Sequence, residues 1–94
     1  MAKQKYDSVW DAISDSPEEA ENMKLRSQLM MKISEHVKAR ELDSKAIQKL
    51  LGLTQPRVSY LMTGKLDKFS LDALVQMAAR AGLHVRIEVE EDAA

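Results

Sequence analysis

The sequence predicts a mainly helical, single-domain bundle that ends in one β-strand. Three observations carry this: apolar residues recur at three- and four-residue spacing between capping residues, two short helical segments flank a glycine turn, and the last stretch alternates strictly between apolar and polar. With 94 residues the chain has room for one modest core and no second lobe.

The helices can be taken in order. In "SDSPEEAENM", Ser16 is a cap, Pro17 suits the first helical position, where its missing N–H costs nothing, and Glu19 completes a capping box. Residues 1–15 are then an N-terminal acidic arm, and residues 16–94 form the domain proper. Met23, Met30, Ile33 and Val37, with Leu29 beside them, place an apolar stripe on one long helix that ends near Arg40. Methionines at this spacing are expected in the core rather than in an adaptable partner groove.

Asp43 caps a second helix, "SKAIQKLLG", whose Ile47, Leu50 and Leu51 face inward and whose Gly52 supplies a left-handed end. Only Leu53 separates that glycine from Thr54, the cap of a third helix. There Pro56 lies in the first turn, Val58, Leu61 and Met62 are the buried set, and Gly64 is the stop. Arg57, Ser59, Tyr60 and Thr63 are left outward. Two short helices about a glycine turn, the second with a polar outer face, make the helix-turn-helix arrangement, in which the second helix enters the DNA major groove. Gln55 and Arg57 occupy its first turn, where glutamine can pair with adenine and arginine with guanine. Lys65 and Lys68 follow in a loop and suit flanking phosphates, which set register and affinity but carry no sequence information. Ser70 caps a fourth helix with Leu71, Leu74, Val75 and Ala78. Gly82 ends it, and Phe69 pins it to the core.

In "LHVRIEVE", Leu83, Val85, Ile87 and Val89 alternate with His84, Arg86, Glu88 and Glu90, the pattern of a half-buried strand. A solitary strand leaves backbone groups unpaired. Either it pairs with a second copy, with Val85, Ile87 and Val89 at a twofold homodimer interface, or it remains a lone edge or frayed tail. The dimer would also present two recognition helices to a palindromic operator.

Charge sharpens this reading. The total of 14 basic against 15 acidic residues gives −1, which does not advertise a polyanion binder. Yet residues 7–21 carry six acids and no base, residues 38–68 carry seven bases against three acids, and residues 88–92 are acidic again. An approaching phosphate meets the local field, within a Debye length of about 10 Å, unless these charges merely solvate helix faces.

"LLGLTQPRVSYLMTGK" followed by "FSLDALVQMAARAGLHVRIEV" resembles the Xre-type helix-turn-helix regulators, and within them the HigA-like antitoxins. The resemblance spans roughly residues 25–90, strongest in Gly52, Thr54, Gln55, Val58, Ser59, Leu61 and Gly64. It implies a lambda-repressor-like helical bundle that binds double-stranded DNA as a dimer and represses its own operon. In the antitoxin branch it also implies neutralisation of a RelE-like toxin, as in HigBA pairs. Two positions depart from the pattern: Gln48 stands where such motifs carry a small alanine, and Ser44 where many carry a glutamine that touches the DNA backbone.

Tyr6, Val9, Trp10 and Ile13 form an apolar set at helical spacing within the acidic arm. It either folds onto the body or docks a partner, the toxin in the antitoxin reading. Enzymatic chemistry is not expected: no phosphate loop or nucleophile elbow occurs, and His36 and His84 read as surface residues without a metal cluster. No cofactor is expected. The absence of cysteine suits a reducing cytoplasm, and no segment reads as a signal peptide or a membrane span. A stand-alone Xre-type or phage-type repressor, or an adaptor that keeps the fold without binding DNA, stays open beside the antitoxin.

Overall fold

A computed structural model of the protein describes residues 16–91, which form four α-helices and one 3-10 turn: α1 (Pro17–Ala39), α2 (Ser44–Leu51), α3 (Gln55–Met62), the 3-10 turn (Leu66–Lys68) and α4 (Leu71–Arg80). The acidic arm, with Tyr6, Val9, Trp10 and Ile13, lies outside the described residues.

Each helix begins where a short polar side chain can satisfy a backbone N–H that the helix leaves over. Ser16 Oγ accepts from the Glu19 N–H at 3.1 Å, Asp43 Oδ1 from Ala46 at 2.9 Å, Thr54 Oγ1 from Arg57 at 3.4 Å and Ser70 Oγ from Ala73 at 3.1 Å. All four cap residues are extended, so the chain turns sharply into each helix.

The helix ends share a closure too. After α3, the N–H of Lys65 reaches Tyr60 O at 2.9 Å and that of Gly64 reaches Leu61 O at 3.2 Å, a Schellman closure that needs the left-handed φ of +76° at Gly64. At the end of α1 the same left-handed position, φ +57°, is held by Glu41, and Leu42 N–H closes onto Val37 O. No local pattern announces this end, because a glutamate carries no turn signal.

The apolar stripes meet in one core. Ile33 and Val37 of α1, Leu61 of α3, and Leu74 and Ala78 of α4 are fully enclosed, with Met30, Ile47, Leu51, Val58, Phe69, Met77 and Ala81 around them. α1 packs chiefly along α4, while α2 rests on α3 and α4. Of the expected inward residues, Leu29, Leu50 and Met62 lie half-buried at the rim, Met23 is half-buried, and Val75 is exposed. Gln48 is half-buried and donates through Nε2 to Ser44 Oγ at 3.3 Å, so the two unusual positions of α2 pair with each other.

The C-terminal segment differs from the expected strand. Residues 83–91 have no regular secondary structure, and no strand occurs among the described residues. Leu83 is anchored, its N–H on Ala78 O at 2.8 Å and its side chain against the core. Beyond it Val85 is 39%, Ile87 83% and Val89 89% exposed. The physical reason is simple: a ladder requires a neighbouring strand, and the described part of a single chain offers none.

Candidate nucleic-acid interface

The second and third helices set the site. α2 ends at Gly52 (φ +70°), Leu53 N–H bonds back to Gln48 O at 3.0 Å, and Thr54 caps α3 at once, so the two helices are joined by the shortest of turns. A Cβ at Gly52 would come within 2.9 Å of the Arg80 guanidinium, so the end of that α4 side chain lies over the turn.

Burial of Val58 and Leu61 decides which side of α3 faces out. Gln55, Pro56, Ser59 and Thr63 are exposed, the polar ones spaced by four so that they line one stripe. The Thr63 hydroxyl donates to Ser59 O at 2.7 Å, which keeps it close to the helix. In the first turn of α3, Pro56 has no N–H and the Arg57 N–H is taken by Thr54, so what the helix start offers an anion is chiefly the positive end of its dipole.

Two of the residues expected on this face are partly withdrawn from it. Arg57 is half-buried, its guanidinium lying 4.5 Å from the centroid of the Phe69 ring, and its Nη1 donates to Lys68 O at 3.3 Å. Tyr60 is half-buried against the core, with Lys68 Nζ 5.0 Å from its ring centroid. Lys65 is exposed, as is the rest of Lys68.

Sequence reasoning missed Arg26 altogether. From α1 its Nη1 donates to Leu66 O at 2.9 Å and Phe69 O at 3.2 Å, while Nε donates to Asn22 Oδ1 at 2.6 Å. It fastens the basic loop from behind. Only a forty-residue contact reveals it, and no local spacing encodes that contact.

Electrostatically the face is open to a polyanion. Among the described residues, no acid lies within salt-bridge distance of Lys45, Lys49, Arg57, Lys65 or Lys68, whereas Lys24 pairs with Glu21 at 3.2 Å on α1. Their charges therefore have no ion-pair partner among the described residues.

The other expected sites separate clearly. His36 is not a plain surface residue: it is half-buried and its Nε2 lies 3.1 Å from Ala81 O, at the end of α4, whereas His84 is exposed. No group of metal-ligating side chains occurs among the described residues, and no described helix is long and apolar enough to cross a membrane. Val85, Ile87 and Val89 sit together on the C-terminal segment, away from α3 in sequence.

Comparison with known proteins agrees with the geometry. No curated protein matches the chain significantly. The sequence profile of a helix-turn-helix domain matches residues 12–90, which takes in all four helices and most of the C-terminal segment. The capped pair α2 and α3, the glycine between them and this match over most of the chain together make the protein a member of the helix-turn-helix domain family.

Proposed function

We propose that the protein is a sequence-specific DNA-binding transcriptional regulator that acts as a homodimer, and that it is the antitoxin of a HigBA-like pair, repressing its own operon and neutralising a RelE-like toxin. The observation that carries the DNA-binding part is the exposed polar stripe Gln55, Ser59 and Thr63 on a helix capped immediately after the Gly52 turn. Thr54, Gln55, Ser59 and Thr63 form the groove-facing surface, with Arg57 and Tyr60 partly withdrawn beside them, and Lys65 and Lys68 lie on flanking phosphates.

Dimerisation rests on the uncovered apolar residues Val85, Ile87 and Val89. Antiparallel pairing of two such segments would satisfy their backbone groups and bury the exposed side chains, at about 1.5–3 kcal/mol for each side chain fully removed from water. Two α3 helices would then address half-sites about one DNA turn apart.

Selection from a randomised duplex pool with the full-length protein tests the DNA reading. The expected product is a palindrome with half-sites about 10 base pairs apart. Failure to enrich any sequence would exclude a sequence-specific regulator. Co-purification with the product of a neighbouring small basic reading frame tests the antitoxin part, and Trp10→Ala is expected to weaken that complex while sparing DNA binding. A locus without such a frame would favour the stand-alone repressor.

A further inference from the structure

The basic loop after α3 is clasped to that helix by two crossed cation–aromatic pairs. In one, α3 supplies the cation, Arg57, and the loop supplies the ring, Phe69; in the other the loop supplies Lys68 and α3 supplies Tyr60. Arg57 and Tyr60 are three apart on the helix, and Lys68 and Phe69 are adjacent, so the pairs lie side by side. Both separations are inside the roughly 6 Å over which a cation is drawn to a ring face.

The anchor of the clasp is Phe69, only 2% exposed and part of the core, so its ring cannot follow a moving guanidinium. A planar, weakly hydrated guanidinium stacks on such a ring at less desolvation cost than an ammonium. Arg57 adds a directional bond to the Lys68 carbonyl, and Arg26 holds the carbonyls on either side of it. Reading a guanine would require Arg57 to give up both the ring and the carbonyl.

We propose that Arg57 is a positioning residue: through Phe69 and the Lys68 carbonyl it fixes the phosphate-binding loop relative to α3, leaving base reading to Gln55, Ser59 and Thr63. This rests on the DNA-binding reading above and assigns the roles within it. Phosphate contact and base contact then share one register, set by the clasp.

The probes are the duplex enriched by the full-length wild type and the unselected random pool. Arg57→Ala is expected to weaken both by about tenfold and by the same factor, to enrich the same consensus as wild type, and to add nothing further in a Lys65→Ala, Lys68→Ala background. Arg57→Lys should recover part of the loss and serves as the folded control if the alanine variant melts. In the free protein, the Lys68 methylene protons should show an upfield ring-current shift from Tyr60 that relaxes in Arg57→Ala. A consensus that loses one base pair in Arg57→Ala, with random-pool affinity unchanged, would make Arg57 a base reader and overturn the proposal. Additive losses, or an unaltered Lys68 shift, would overturn it as well. Should the wild type enrich nothing, the DNA reading itself fails, while the Lys68 shift still reports whether Arg57 places the loop.

Discussion

At the scale of single residues, the interface divides into groups that reach outward and groups that hold the outward ones in place. Gln55 is exposed on the first turn of α3, and its amide can bridge two polar atoms of one adenine edge. Gln55→Ala is expected to cost about 1–3 kcal/mol on the enriched duplex and to relax the preference at one base pair, with little change on random DNA. Lys65 is equally exposed but sits past the end of the helix, where only a charge is needed. Lys65→Ala should therefore weaken enriched and random duplexes alike and lower the slope of log K against log salt by about one. Competition titrations at several salt concentrations separate the two behaviours; identical behaviour of the two variants would contradict the division.

At the scale of elements, left-handed helix ends give two predictions of opposite sign. Glu41 and Gly52 share the same backbone region, φ +57° and +70°, but only glycine occupies it without a Cβ clash. Glu41 is exposed, so Glu41→Gly should stabilise the fold by up to about 1 kcal/mol, raising Tm by several degrees in a chain this size. Gly52→Ala should destabilise by a comparable amount through the strained φ alone, since the Arg80 guanidinium that the new Cβ would meet is the end of a flexible, exposed side chain and can move aside. Thermal melts of both variants check this, and a loss of stability in Glu41→Gly would show that the glutamate side chain supports the turn.

Elements were the most legible part of the sequence. Ser16, Asp43, Thr54 and Ser70 were each readable as caps because a cap bond spans three residues and needs no tertiary contact. The outward stripe of α3 was legible for the same reason, since periodicity alone placed Val58 and Leu61 inside. Arg57 shows where periodicity stops: its Cα lies on the expected side, but its guanidinium is drawn back by a ring twelve residues further on. Arg26 and His36 act through carbonyls forty or more residues away, contacts that no local pattern announces. The alternation from Leu83 to Glu90 was legible as a strand pattern, but a strand is a property of two segments, and its partner is not in the described chain.

At the scale of the whole molecule, a net charge of −1 is compatible with DNA binding because the charge is distributed unevenly. The segment carrying α2, α3 and the loop holds the excess of base, and its lysines have no acidic partners among the described residues. A homodimer would double this surface and cover Ile87 and Val89. Ile87→Pro is expected to break the pairing while leaving the helices intact, because the segment lies outside the core. Sedimentation equilibrium should then report a dimer for the wild type at micromolar concentration and a monomer with unchanged helical content for the variant; a monomeric wild type would remove the case for pairing.

The most direct test of the central claim, that the capped helix α3 reads DNA sequence while the basic loop holds the backbone, is one equilibrium titration. The full-length protein is titrated against its enriched duplex and a scrambled duplex of the same length over a range of salt concentrations. Affinity for both should fall linearly in log K against log salt, and the enriched duplex should stay tighter by about a thousandfold or more. Equal affinity for the two duplexes, or binding that does not respond to salt, would contradict that claim.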